Sequence, residues 1–230
     1  MQPKKSLFYC LGLLCFTAVA NAQKAPDINP KEYNLQKNLV FEDNFDDDKN
    51  GWLKEEAEDS TDTDTSFVNS AETKIAKGYL KYDNRSKSGV FAAGIETNID
   101  FNRDFEIEIK ALVFYASDDY AGVGVLFWGR DSAKNATYLY FNNYQYFEMV
   151  DCNCNDWKNC KGKGKNTKNQ NLNDFNKITI RHIGKYYYFF LNERFQKKFS
   201  FRPLIGHRIG LGSAKNCTMI YDYIKVYYLN

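Results

Sequence analysis

From Leu39 onward the sequence alternates apolar and polar residues with a period of two almost everywhere. The runs "GYLKYDN", "DFEIEIKALVF", "AGVGVLFW", "ATYLYFNN", "YQYFEMV", "NKITIRHI", "KYYYFFLN", "HRIGLG" and "MIYDYIKVYYL" are rich in aromatic and β-branched residues and bounded by Asn, Asp or Gly. That periodicity predicts at least nine strands. No window of twelve residues keeps apolar positions at i, i+3, i+4 and i+7, and only 4 prolines interrupt the chain. Strands at this spacing, without helical crossovers between them, point to an all-β antiparallel two-sheet sandwich.

The ends of the chain set its compartment. "MQPKKSLFYCLGLLCFTAVANAQ" carries Lys4 and Lys5, then an apolar stretch from Leu7 to Val19, then Ala20-Asn21-Ala22. This is the pattern of a secretory signal, so residues 1–22 are expected to be removed and the protein exported to the periplasm, cell surface or extracellular space. The apolar stretch is short for a membrane span, and nothing later approaches one. Residues 23–38, polar and holding Pro26 and Pro30, read as a tether. Residues 39–230 then make one domain, large enough to bury about 70% of its unfolded surface. Loss of Lys4 and Lys5 takes the formal charge from +2 to zero, which provides no overall field to gather nucleic acid. Four cysteines remain, Cys152, Cys154, Cys160 and Cys217, and in an exported chain disulfides are the first expectation. A bridge from the 152–160 loop to Cys217 is anticipated, because a ring closed between Cys152 and Cys154 strains the bond geometry. A four-thiolate zinc site is the alternative, with C-x-C tighter than the usual ligand spacing.

Several turns are legible. "YLYFNNYQYF" should turn at Asn142 or Asn143, and "TIRHIGKYYYFF" at Gly184. Residues 151–174 form the longest irregular segment, rich in Lys and Cys, with Trp157 within it; a loop of this length is usually functional or mobile. It is a candidate surface for a protein partner or an acidic glycan. "FEDNFDDDKNGW" starts like a calcium loop, with Asp46, Asp48, Asn50 and Gly51 at the first, third, fifth and sixth positions. Position twelve is Ala57 where a bidentate Glu is needed, so the segment reads as a strand followed by an Asp-capped turn.

An opening F-x-D-x-F-D-D-x-x-x-G-W, an early I-x-x-G-Y-L, a middle "DFEIEIK", then G-V-G-V-L-F-W, N-x-I-T-I-R-x-I-G-x-Y-Y-Y-F-F-L-N and a closing "IYDYIKVYYL" resemble exported members of the concanavalin A-like lectin/glucanase superfamily. The resemblance spans most of residues 39–229 and implies a two-sheet jelly roll whose first strand pairs with the last. It also implies a bacterial sugar-binding or sugar-degrading context, and it allows a structural calcium between those two strands, with Asp43 and Asp222 as candidate ligands. The superfamily hosts glycosidases, lectins and adhesive modules alike, so function has to come from the site.

For catalysis the candidate is "DFEIEIK", where Asp104, Glu106 and Glu108 share one strand face. The strand resembles the E-x-D-x-E strand of family 16 glycoside hydrolases, which implies Glu106 and Glu108 as nucleophile and acid/base of a retaining endo-glycosidase. The order here is Asp-Glu-Glu, and alternation against Phe105, Ile107 and Ile109 is also what a half-exposed strand shows. With two histidines and no G-x-S-x-G, a nucleophilic triad has little to build on. Binding is the better-supported expectation. Aromatic content is 17%, much of it Tyr, which offers an apolar face and a hydroxyl to a sugar. Gly122, Gly124, Leu126 and Trp128 share a face and predict a shallow groove beside the indole. A two-residue turn at either 142–143 or 143–144 groups Tyr138 and Tyr140 with Gln145 and Phe147. The sequence therefore predicts a non-catalytic carbohydrate-binding module needing no cofactor, with Trp128, Tyr138, Tyr140, Gln145 and Trp157 at its ligand; a glycosidase and a protein-interaction or envelope structural module are the alternatives.

Overall fold

A computed structural model describes residues 35–53, 71–86, 90–116, 122–142, 145–152, 161–166 and 173–230. Among these there is no helix, and fourteen strands, numbered in chain order, form two antiparallel sheets. The larger sheet runs β12 (Arg194–Ser200), β11 (Tyr186–Leu191), β10 (Asn176–Ile183), β5 (Phe105–Ala116), β14 (Cys217–Leu229), β3 (Tyr79–Asn84), β2 (Ala71–Ala76), and β1 (Lys37–Asp43) also pairs with β14. The smaller runs β4 (Val90–Glu96), β13 (Arg208–Ala214), β6 (Val123–Arg130), β7 (Ala136–Asn142), β8 (Tyr146–Cys152), β9 (Lys161–Asn166). β3 and β1 share one edge of β14: β3 takes residues 217–221 and β1 takes 224–229. First and last strands are thus paired, as expected from the resemblance.

The core is the alternate residues of both sheets, turned toward each other. Phe105, Ile107 and Ile109 of β5, Ile178 and Ile180 of β10 and Tyr187 and Phe189 of β11 meet Leu126 and Trp128 of β6, Leu139 of β7 and Phe147 and Met149 of β8, all buried. Ring contacts cross the layers: Phe147 to Phe189 at 4.1 Å between centroids, Tyr82 to Phe91 at 5.9 Å, and Trp128 to Tyr187 at 5.5 Å. The Tyr82–Phe91 and Trp128–Tyr187 pairs are edge-to-face, at 71° and 83°, and packing of that kind adds about 0.5–1.5 kcal/mol per pair beyond area burial. Trp128 Nε1 also donates to the Tyr187 hydroxyl at 3.3 Å, so the indole buries no orphan donor.

The acidic segment after β1 is a structural turn. Asp43 is buried and accepts from the Phe45 amide (2.8 Å), Trp52 Nε1 (2.7 Å) and Asn50 Nδ2 (2.5 Å). Those bonds pull Phe45 and Trp52 into the core, while Gly51, at φ 78°, closes the turn onto the Asp48 carbonyl. Asp222 instead pairs with Lys110 at 2.7 Å. The two candidate calcium ligands are therefore satisfied separately, by protein donors. The hairpin at Gly184 forms as expected, with φ 58° at the glycine and Ile183 opposite Tyr186.

Two expectations are corrected. Cys217 is a free, buried thiol in the core, whereas Cys152 packs with Phe127 and Tyr138 on the opposite side of the smaller sheet, so the expected bridge from the 152–160 loop to Cys217 is not made. Cys154 and Cys160 lie outside the described residues. The 151–174 segment is also not irregular throughout, because residues 161–166 form β9 on the edge of the smaller sheet. Its K-G-K-G-K-N sequence has no apolar residue to mark it as a strand.

Candidate functional site

The outer face of the smaller sheet carries the aromatic residues of interest. Strand register places Ala92, Gly212, Val125, Tyr140, Glu148 and Gly164 in one row across all six strands. Gly94, Gly210, Phe127, Tyr138, Val150 and Gly162 form the next. The glycines exist for their neighbours. A Cβ on Gly94 or Gly210 would enter the Phe127 ring, and one on Gly164 would strike the Tyr146 ring and hydroxyl. Phe127, Val125 and Tyr138 are buried, while Tyr140, Asn142 and Glu148 are half-buried and Tyr146 is 36% exposed. The accessible part of the face is thus two phenols, a carboxylate and an amide above a glycine. Tyr138 and Tyr140 stand nearly parallel, 5° apart with centroids at 6.1 Å. Burial and the nearby Glu148 push the Tyr140 and Tyr146 hydroxyls above their ordinary range, so both keep their protons and remain donors.

This grouping differs from the one anticipated. Phe141 pairs with Phe147 and Tyr140 with Glu148, which puts Tyr146 and Glu148 beside Tyr140 and sends Phe147 into the core. The connection between Asn142 and Tyr146 is three residues long, not two, and Gln145 sits at φ 61° before β8. A three-residue loop ending in a left-handed residue is a standard hairpin closure, and the extra residue inverts every side chain of the second strand. The Asn142 carboxamide oxygen accepts the Tyr146 amide at 3.0 Å and anchors that register. The signal that identifies Tyr146 and Glu148 was therefore loop length, which alternation alone does not reveal.

The remaining candidates disperse. Trp128 is fully buried, and the space left by Gly122 and Gly124 is filled by Val113, Ala116, Cys217, Phe141 and Met219, so the groove expected beside the indole is core. Gln145 lies at the hairpin end, and Trp157 is outside the described residues.

Glu106 and Glu108 point to the outer face of the larger sheet, away from Tyr140. Glu106 is fully buried between Lys37 Nζ (2.5 Å) and Arg181 Nη2 (2.5 Å). Glu108 receives Lys177 Nζ at 2.8 Å and the Tyr223 hydroxyl at 2.7 Å. Lys225 to Glu42 and Lys110 to Asp222 continue the same ladder, each at 2.7 Å. On the strands of the smaller sheet, the described carboxylates of the outer face are Glu96 on β4 and Glu148 on β8. With β13, β6 and β7 between them, they are at least roughly 19 Å apart, against about 5–5.5 Å for a retaining pair.

Comparison with solved structures places this architecture. No family model matches the chain, and no curated protein matches it. The endo-β-1,3-glucanase of Pyrococcus furiosus superposes with a TM-score of 0.62 at 12% identity, covering 85% of this chain and 96% of the other. The fold is that of the concanavalin A-like jelly rolls. A galectin-like protein of unknown function from Bacillus subtilis matches the jelly roll with a TM-score of 0.56 at 8% identity, over 85% of this chain and 98% of its own. The VIP36 exoplasmic/lumenal domain, in a Ca2+/Man3GlcNAc-bound form, matches with 0.50 at 11%, over 70% and 82%. At these identities the likeness speaks to fold alone.

Proposed function

We propose that this jelly roll is an exported carbohydrate-binding module that does not hydrolyse its glycan. The observation that carries the reading is the cluster of Tyr140, Glu148 and Tyr146 on the outer face of the smaller sheet. Flat phenol faces stack on the C–H face of a sugar, while the tyrosine hydroxyls donate and the carboxylate and amide accept from sugar hydroxyls. That the similar structures include the VIP36 exoplasmic/lumenal domain in a Man3GlcNAc-bound form and an endo-β-1,3-glucanase supports the ligand class. The ion pairs of Glu106 and Glu108, and the wide separation of Glu96 from Glu148, favour binding over cleavage.

The test is affinity electrophoresis of the purified protein through gels containing neutral and acidic polysaccharides, with reducing ends measured in parallel. Retardation without new reducing ends is expected, and Tyr140→Ala should weaken binding about tenfold, close to the 1.4 kcal/mol of one stacked ring. Reducing-end release that disappears in Glu106→Gln would overturn the non-catalytic reading.

A further inference from the structure

On the described strands, the carboxylates that are not fully exposed have partners, with one exception. Glu42, Asp83 and Asp222 pair with a lysine or arginine, as Glu106 and Glu108 do, and Asp151 accepts the Thr137 hydroxyl at 3.1 Å. Asp43 holds its turn with three accepted hydrogen bonds. Glu148 is half-buried, and among the described residues neither a hydrogen-bond donor nor a cation meets it. The strand beside it supplies no side chain on that face. Glu148 lies over Gly162 of β9, where a Cβ would strike its Oε1, and Tyr146 lies over Gly164 in the same way. The lysine positions of β9, 161, 163 and 165, fall opposite Asp151, Met149 and Phe147 on the inward side. The described cations of the outer face stand elsewhere on it, Arg130 over the Phe127 ring and Arg208 against Glu96. After burial, it is the charge of Glu148 that raises the Tyr146 hydroxyl, and it acts on Tyr140 as well, so the carboxylate sits within reach of both phenols.

We infer that this site takes a glycan bearing a free amine, its ammonium set against the Glu148 carboxylate beside the Tyr140 and Tyr146 rings. A ligand that covers Glu148 strips water from a charge. A sugar hydroxyl returns less of that loss than an ammonium does, because a hydrogen bond between two charged groups is stronger than one with a neutral partner. The faces of the tyrosine rings attract the same cation. An acidic sugar would instead bring two like charges together. The inference rests on the carbohydrate-binding reading and names the class of sugar.

The probes are three hexasaccharides with one β-1,4 backbone that differ only at C2: cellohexaose with a hydroxyl, fully N-acetylated chitohexaose with an acetamide, and its deacetylated form with an amine. A lysine hexapeptide serves as a cation without a sugar. Binding is titrated by calorimetry at about pH 5.5, where the amines are protonated, in about 50 and about 500 mM NaCl. The amine hexamer should bind at least about tenfold more tightly than cellohexaose at low salt, and the difference should shrink at high salt. Glu148→Gln should weaken the amine hexamer at least about tenfold and cellohexaose by less. Glu148→Asp, which keeps the charge on a shorter stem, should retain part of the preference, and circular dichroism checks that both variants are folded. Equal affinity for the amine and hydroxyl hexamers, or a preference that Glu148→Gln leaves intact, would overturn the amine assignment and leave carbohydrate binding standing. A lysine hexapeptide bound as tightly as the amine hexamer would overturn the assignment to a glycan. If no hexasaccharide binds, the amine assignment falls, and retardation in the polysaccharide gels decides separately whether carbohydrate binding falls with it.

Discussion

Trp128 and Tyr140 sit three register positions apart and on opposite faces of the smaller sheet. Both are aromatic residues on neighbouring strands, yet one is sealed between the sheets and the other reaches the surface. Trp128→Ala should cost about 3–5 kcal/mol of stability, read in denaturant melts, because it empties a large buried site and strips the Tyr187 hydroxyl of a donor. Glu106→Gln should cost about 2 kcal/mol: the carboxylate is buried, and its loss leaves Arg181 and Lys37 facing an amide. Cys217 is held unreactive by burial, which pushes its thiol up to about 12, so a maleimide should label it only after denaturation. Asp151 carries a pH signature. Burial raises its pKa on folding, so its favourable contribution is present below the usual carboxylate range and is lost as pH climbs through the raised value. Asp151→Asn should therefore gain thermal stability over the parent at neutral pH, and the gain should vanish near about pH 4.

At the scale of elements, the β7–β8 hairpin decides which residues share the candidate site. Its three-residue loop places a non-glycine residue, Gln145, at φ 61°. Gln145→Gly should relieve about 1 kcal/mol of backbone strain and raise the melting temperature without moving the register. The strands themselves were legible wherever apolar alternation was strong, as in β5, β10, β11 and β14. β9 was not, because glycine and lysine alternate there and an edge strand with nothing to bury leaves no hydrophobic trace. The hairpin register was not legible either: a loop of two residues and one of three fit the same Asn-rich stretch, and they differ in which face Tyr146 and Glu148 join.

For the whole molecule, chain order and spatial order are nearly opposed. The last strand is internal to the larger sheet, between β5 on one edge and β3 and β1 on the other. Removing residues 224–230 would take Ile224, Val226 and Leu229 from the core and strand the backbone of β1 and half of β5. A chain ending at Tyr223 is expected to lack the cooperative melting transition of the full protein, measured by circular dichroism. What the sequence alone determined is the class of structure and the identity of its strong strands, since a period of two with aromatic and β-branched residues has no other stable solution. It also marked Asp43 and the Asn50-Gly51 turn, whose chemistry is local. The sidedness of each strand was decided only by tertiary structure. An alternating strand has two candidate faces, and Trp128, Tyr140 and Glu106 took theirs from loop lengths and sheet pairings between residues distant in the chain, which no local pattern encodes.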